Sequence, residues 1–258
     1  SRASTMPAAT MTSAPMPAAT VTSAAMPATT KPAVVMPAEA VSINVYARIR
    51  GNSDQVSTPA DKPGALLCRN LEFSLDAAFD CHASQKDCYD SVEAGSQAVA
   101  RVLQGFNSTI LAYGQTGSGK TFTMMGPEAA DFGNPDAPEL GLVPRACGQI
   151  FSRLPAGFSV RVTYLEIYND RVNDLLGRKE DLQLRTQGVG VVPEGLTFKD
   201  ASSVKDVMAA IKLGDSRRVI AAMAMNPRSS RGHGVVAIHL SDGKGNAFGR
   251  LTLAAQRA

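Results

Sequence analysis

Eight consecutive residues match the pattern G-x-x-x-x-G-K-[S/T], which binds nucleotide phosphates. They are Gly114, Gln115, Thr116, Gly117, Ser118, Gly119, Lys120 and Thr121. Glycines let successive backbone N–H groups point inward at phosphate oxygens, in a nest that a Cβ would obstruct. We expect Lys120 to reach the β- and γ-phosphates as a point charge, and the hydroxyl of Thr121 to ligand Mg²⁺. The pattern predicts a phosphate-binding loop, or P-loop, where the alternative is a glycine-rich surface turn.

The residues around the P-loop predict the elements that must position it. The run from Ser108 to Tyr113 is short, apolar and bounded by polar residues, which predicts a buried strand. A helix can start at Gly119 and turn its positive dipole end toward the phosphates. The loop is therefore predicted to join a strand to a helix.

The stretch from Asn107 to Met124 resembles the kinesin motor domain, whose loop reads GQTGSGKT after a strand ending in AYG. Further blocks that resemble this family, in the right order, are Phe79-Asp80 with Ser84-Gln85 and Tyr89, then Gly141–Arg145, Tyr164–Asp170 and Asn226–His233. The resemblance covers about residues 41 to 253. It implies an α/β P-loop NTPase fold with a kinesin-like central mixed β-sheet, helices on both faces of the sheet, and an incomplete C-terminal part.

The resemblance also implies where the adenine of ATP binds. Arg48-Ile49-Arg50-Gly51 is similar to the family's R-x-R-P element, which lies over the base, with Arg48 at the first arginine. Gly51 replaces the proline, which removes one apolar wall of the base pocket. Phe122 stands where the family places a ring on the other side, so it is expected to compensate by stacking. Without the resemblance, Arg48 would be read as an exposed arginine at the end of a strand.

The block Asn226-Pro-Arg-Ser-Ser-Arg-Gly-His233 resembles kinesin switch I, N-x-x-S-S-R-S-H. The residues to which the resemblance gives catalytic roles are Asn226 (water positioning), Ser229 and Ser230 (γ-phosphate and Mg²⁺ shell) and Arg231 (a latch to a switch II glutamate). Thr121 and Ser230 are the expected metal contacts. Gly232 replaces a family serine, so one hydrogen-bonding group is lost and the loop is expected to be freer. Without the P-loop, this block would be read as a polar surface turn.

One family motif is not found where the pattern expects it. Gly249-Arg-Leu-Thr-Leu253 looks like the strand that delivers switch II, D-L-A-G-x-E, but the sequence continues Ala254-Ala-Gln-Arg-Ala258. The family aspartate falls at Ala255, and the glutamate partner of Arg231 is absent. Mg²⁺ would then keep only the hydroxyls of Thr121 and Ser230 as protein ligands. Arg231 would have no glutamate partner, so the sensing of the γ-phosphate could not be passed on to switch II. We expect weak nucleotide binding, little hydrolysis, an open strand edge, and microtubule binding that is weakened or lost.

These observations leave two functions open. The first is the N-terminal part of a kinesin-like motor domain whose intact parent couples Mg-ATP hydrolysis to movement on microtubules, in the cytoplasm and on the cytoskeleton. The second is a non-hydrolysing, nucleotide-dependent module that docks to tubulin or another protein. A GTPase would need an N-K-x-D motif to read its base, and the sequence has none. Whether the chain itself is an enzyme stays open at this point.

The composition of the 258 residues limits the possible partners, the compartment and the extent of the folded domain. A net charge of only +3 gives no global electrostatic case for nucleic acid. The four cysteines form no C-x-x-C pair, which favours a protein of a reducing compartment. No apolar run approaches the ~18 residues that are needed to span a bilayer. Residues 1–40 repeat Met-Pro-Ala with a ten-residue period and are expected to be disordered, so the domain is predicted over 41–258. The oligomeric state is not indicated.

Periodicity predicts the remaining elements of that domain. The expected helices cover 84–106, 143–154 and 203–224, and the expected strands cover 41–47, 160–168, 189–192, 235–240 and 249–253.

Overall fold

The structure, a computed structural model, describes residues 43–51, 55–132, 134, 137–187, 190–224 and 232–257. The repeat in residues 1–40 therefore lies outside the described residues. So do four of the predicted site residues, Asn226, Ser229, Ser230 and Arg231.

Five helices form in the described part of the chain: α1 (Gln85–Ser96), α2 (Ala98–Leu103), α3 (Lys120–Met125), α4 (Leu142–Arg153) and α5 (Val204–Ala224). The predictions for α4 and α5 are confirmed to within a residue or two. The single helix predicted over 84–106 is wrong, because Gln97 adopts a left-handed conformation with φ 50° and separates α1 from α2. The carboxylate of Glu93 accepts hydrogen bonds from the N–H groups of Val99 and Ala100, so a side chain in α1 caps the start of α2. None of the described helices is long and apolar enough to cross a membrane.

The described strands are β1 (Tyr46–Arg48), β2 (Val56–Ser57), β3 (Ala65–Cys68), β4 (Leu71–Ser74), β5 (Ala77–Phe79), β6 (Asn107–Gly114), β7 (Ser159–Tyr168), β8 (Arg171–Asp174), β9 (Leu184–Gln187), β10 (Gly190–Pro193), β11 (Lys199–Ala201), β12 (His233–Ser241) and β13 (Ala247–Arg257). The strand was predicted from Val41; among the described residues, which begin at Ile43, it starts at Tyr46. Val45 lies before it, and its N–H donates to the Asp76 carboxylate at 2.6 Å rather than to a neighbouring strand.

The central sheet has the order β11-β7-β12-β13-β6, with β8 paired to β7. Strands β13 and β6 are parallel, while the other pairs in this sheet are antiparallel. The predicted mixed sheet is thus confirmed. Three smaller sheets accompany it: β1 with β5, β2-β3-β4, and the hairpin β9-β10.

The hydrophobic core lies on one face of the central sheet. Its buried sheet residues include Val162, Ile238 and Leu251, and all five helices contribute side chains to the same cluster. The flanking helices are therefore present as predicted.

Strand β6, which leads into the P-loop, is only half covered. Its side chains alternate between exposed and partly buried, and Leu111 and Tyr113 are 53% and 67% exposed. The prediction of a buried strand was therefore wrong for one of its two faces. Within the described residues, β6 pairs only with β13, which agrees with the open strand edge expected from the sequence.

Acid is expected to destabilise the fold through His239 on β12. Burial, with the nearby cations Arg250 and Arg161, lowers the pKa of His239 to about 4. In the unfolded chain His239 takes up a proton near pH 6.5, whereas in the folded chain it does so only near pH 4. The stability contributed by neutral His239 is therefore complete above pH 6.5 and is lost as pH falls toward 4. We expect roughly 2 kcal/mol less stability at pH 5 than at pH 7.

Chemical denaturation of the wild type and of His239→Gln at both pH values measures this effect. The variant should lose much less stability between the two pH values. The pKa is also lowered in four aspartates, Asp76, Asp87, Asp206 and Asp242. Because their ordinary pKa is 3.8, their protonation changes stability mainly below pH 4 and not between pH 5 and pH 7. Equal losses in the two proteins would contradict the assignment to His239.

Candidate nucleotide-binding site

The predicted P-loop forms the connection between β6 and α3. Gly119 is the residue before α3, and it has a left-handed conformation with φ 94°. Gly117 is also left-handed, with φ 81°. Residues with a Cβ rarely adopt this conformation, so glycine is needed at both positions. The expected passage from strand through a glycine-rich turn to helix is thus present.

Lys120 is folded back over the loop that precedes it. Its Nζ donates hydrogen bonds to the carbonyl oxygens of Gly114 and Gln115 at 2.6 and 2.7 Å. The N–H of Ser118 donates to the carbonyl of Gln115 at 3.2 Å and tightens the same turn. The ammonium group therefore lies at the loop itself, where a bound phosphate would meet it.

Thr121 is exposed in the first turn of α3, next to the loop. In the described part of the chain, no three His, Cys, Asp or Glu residues come close enough together to hold a metal ion. A threonine hydroxyl is an oxygen donor of the kind that Mg²⁺ accepts, together with phosphate oxygens and water.

The structure brings Arg48 and Phe122 together beside the P-loop. The guanidinium carbon of Arg48 lies 5.2 Å from the centre of the Phe122 ring, a cation–π arrangement. Nη1 of Arg48 also donates to Oγ1 of Thr123 at 3.2 Å. Phe122 is 48% exposed. The predicted base contacts are therefore neighbours on one side of the loop.

Gln85 at the start of α1 holds this pair and was missed by sequence reasoning. Its side chain is only 5% exposed. Its Oε1 accepts from Nη1 of Arg48 at 2.7 Å, and its Nε2 donates to the carbonyl of Phe122 at 2.6 Å. Nη2 of Arg48 donates to the carbonyl of Ala83 at 3.1 Å. The one signal in the sequence was its place next to Ser84, in the Ser84-Gln85 pair that resembles the family.

Replacing Gln85 with alanine should weaken adenine nucleotide binding by about fivefold, because the hydrogen bonds that orient Arg48 and Phe122 are lost. Titration with a fluorescent ATP analogue measures the change. Gln104→Ala, an exposed glutamine at the end of α2, is the matched control and should bind like the wild type. Equal affinities in all three proteins would show that Gln85 does not position the pair.

The structure shows different surroundings for Gly51 and Gly232, the two glycines that replace family residues. Gly51 has φ 71°, which proline cannot adopt because its ring fixes φ near −65°. A Cβ on Gly232 would lie 2.4 Å from Oε1 of Glu166. Glu166 forms an ion pair with Arg218 at 3.0 Å, and Nη2 of Arg218 donates to the carbonyl of Gly232 at 3.3 Å. Gly232 is thus connected to α5 and β7, while the rest of the loop that was expected to be freer lies outside the described residues.

Ala255 occupies a position next to the P-loop strand. It lies on β13 opposite Ala112 of β6, two residues before Gly114. A methyl group therefore stands where the resemblance would place the switch II carboxylate. Strand β13 itself continues to Arg257, beyond the predicted limit at Leu253.

Comparisons with known proteins agree with this architecture. The sequence model of the kinesin motor domain family matches residues 38–253. Kinesin-related protein 5 of Dictyostelium discoideum is 39% identical over 182 residues, which cover 67% of this chain and 18% of that protein. Kinesin-like protein KIN-5C of Arabidopsis thaliana is 35% identical over 243 residues, covering 79% of this chain and 24% of that protein. The chain thus spans about a fifth to a quarter of the length of these curated relatives.

A solved structure of a fast kinesin superposes on this fold with a TM-score of 0.70 at 33% identity. The match covers 84% of this chain and 66% of that one. The P-loop, the mixed sheet and the family match over most of the sequence therefore lead to one conclusion. The chain belongs to the kinesin motor domain family.

Proposed function

We propose that this chain binds the phosphates of ATP, together with Mg²⁺, in the P-loop between β6 and α3. The observation that carries the proposal is the loop geometry, in which Gly117 and Gly119 are left-handed and the ammonium of Lys120 lies against the turn. Left-handed glycines allow the nest of backbone amides that a polyphosphate requires, and the ammonium would add a positive charge beside it. Arg48 and the half-exposed Phe122, which contact each other beside the loop, would supply a cation and an aromatic ring for the base.

The residues present divide the task of binding. Lys120 would exchange its two loop carbonyls for phosphate oxygens, and Thr121 would contribute a hydroxyl to the metal. The bound Mg²⁺ would neutralise phosphate charge. In switch I, Asn226, Ser229, Ser230 and Arg231 stay the candidates for γ-phosphate contact, water positioning and the latch.

In the parent protein, we propose that ATP hydrolysis is coupled to movement on microtubules. The partner would be tubulin in microtubules, and the location the cytoplasmic cytoskeleton. Support comes from family membership and from the similar fast kinesin, whose structure is described in terms of its ATPase mechanism and its interactions with microtubules.

A second function is favoured by Ala255. A methyl group in its place beside β6 cannot hold Mg²⁺ through water as a carboxylate would. The site would then bind nucleotide without cycling at a motor's rate, and the chain would act as a nucleotide-dependent module that docks to tubulin or another protein.

Two measurements on the purified chain separate these functions. A fluorescent ATP analogue is first displaced with ATP, ADP or GTP in the presence of Mg²⁺, and adenine nucleotides should compete better than GTP. Phosphate release is then followed with and without microtubules. Stimulated release supports the motor, whereas binding without release supports the second function. If neither ATP nor ADP binds, both proposed functions are wrong.

A further inference from the structure

The end of strand β13 departs from the family pattern in charge. The aspartate of D-L-A-G-x-E falls at Ala255, and two positions later the pattern has alanine where this chain has Arg257. One negative charge is therefore lost and one positive charge is gained within the same few residues. Compared with the pattern, this end of the strand favours an anion more strongly and a metal ion less strongly.

The sheet register places Arg257 beside the P-loop. Strands β13 and β6 are parallel and pair residue by residue along the whole of β6, ending with Arg257 opposite Gly114. Neighbouring strands lie about 4.8 Å apart. Gly114 is the first glycine of the P-loop, and its carbonyl accepts a hydrogen bond from Nζ of Lys120 at 2.6 Å. Arg257 is thus one strand away from the start of the loop, at the carboxyl ends of parallel strands, where open α/β sheets bind their ligands.

The alternation along β13 decides on which face of the sheet Arg257 lies. Leu251 and Leu253 are buried in the hydrophobic core, to which Met124 of α3 also belongs. Residues two positions apart on a strand share a face, so Arg257 lies on the face that α3 covers. Lys120 is the first residue of α3. The two cations therefore belong to the same side of the sheet, one at the start of α3 and one at the end of β13.

The carboxylate of Glu166 is the competing partner for Arg257 on this side of the sheet. Glu166 lies opposite Gly234 of β12, which in turn lies opposite Ala255. It is therefore two strands away from β13, about 9.6 Å, and it already forms an ion pair with Arg218 at 3.0 Å. Phosphates held by the P-loop would be bound only one strand away from Arg257.

We propose that Arg257 supplies positive charge to the phosphates bound in the P-loop, so that ATP binding by this chain depends only weakly on Mg²⁺. This inference rests on the proposed binding of ATP in the loop. Proteins usually hold Mg²⁺ at a phosphate site through one or two carboxylates. Ala255 removes that attachment, whereas an arginine carries a permanent charge that needs no further ligand. Mg²⁺ would still accompany the phosphates, but its removal would cost this chain little affinity.

Isothermal titration of ATP into the purified chain, once with Mg²⁺ and once with EDTA, measures this dependence. The wild-type Kd should rise by less than about fivefold in EDTA. In EDTA, Arg257→Ala should bind ATP about tenfold more weakly than the wild type, the effect of losing one charge-assisted hydrogen bond. Arg257→Lys keeps the charge and should regain most of that loss. Ala255→Asp restores a carboxylate and should make the affinity depend on Mg²⁺.

Arg250→Ala is the matched control, because it removes the same charge from an exposed position on the same strand. It should leave the Kd for ATP unchanged in both buffers. A wild-type Kd that rises more than about fivefold in EDTA would overturn the proposal, as would equal affinities of Arg257→Ala and the wild type. An equal loss of affinity in Arg257→Lys and Arg257→Ala would also overturn it, since the charge would then not be what matters. If the wild type binds ATP in neither buffer, the proposed function fails instead.

Discussion

Lys120→Ala should lower the affinity for ATP by at least about 100-fold, the largest effect expected of a single substitution in the site. The ammonium is the one side-chain cation within the P-loop sequence, and it would be the direct partner of the phosphates. It already lies 2.6 and 2.7 Å from two loop carbonyls, so the charge is in position before nucleotide binds. Isothermal titration of ATP in the presence of Mg²⁺ measures the loss.

The two carbonyl contacts give Lys120 a structural role that must be separated from its role in binding. Losing them should lower the Tm only slightly, because the carbonyls of Gly114 and Gln115 lie at the surface of the loop and can bind water instead. Lys212→Ala, an exposed lysine on α5, removes the same charge elsewhere and should bind ATP like the wild type. ATP affinity within threefold of the wild type in Lys120→Ala would refute the P-loop assignment.

The P-loop could be predicted from the sequence because its geometry is encoded locally. Gly117 and Gly119 need left-handed backbone, and the sequence places glycine at both positions. The neighbouring strand and helix follow from an apolar run and a helix start within the same 20 residues. The cap of α5 is encoded locally in the same way, because the hydroxyl of Ser203 donates to the carboxylate of Asp206 and accepts from its N–H, only three residues away.

Contacts between distant parts of the chain could not be predicted in this way. Gln85 joins Arg48 and Phe122, each 37 residues away, and no local pattern indicates that its amide is buried between them. The exposed face of β6 likewise depends on which elements cover Leu111 and Tyr113. The break at Gln97 lies two residues after Gly95, and what stabilises it is a side chain, since the carboxylate of Glu93 supplies the cap for α2.

Asp174 at the end of β8 is the polar residue whose loss should destabilise the fold most. Its side chain is 2% exposed, and its carboxylate accepts hydrogen bonds from three backbone N–H groups. The donors are Leu176 at 2.9 Å, Gly177 at 3.0 Å and Thr197 at 2.9 Å. Alanine would leave these donors unsatisfied in a site that excludes most water. Each such group costs about 1 to 3 kcal/mol, so Asp174→Ala should lose about 4 kcal/mol of unfolding free energy.

A graded pair of variants tests whether the loss follows the hydrogen bonds. Oδ1 of Asp174 serves Leu176 and Gly177, while Oδ2 serves Thr197. Asp174→Asn can keep the Oδ1 contacts but turns an amide donor toward the N–H of Thr197, so its loss should be smaller, about 2 kcal/mol. Asp61→Ala, an exposed aspartate, should cost nothing measurable in the same urea titrations. Losses below 1 kcal/mol in Asp174→Ala would mean that water replaces the carboxylate, and that this turn is more accessible than its 2% exposure indicates.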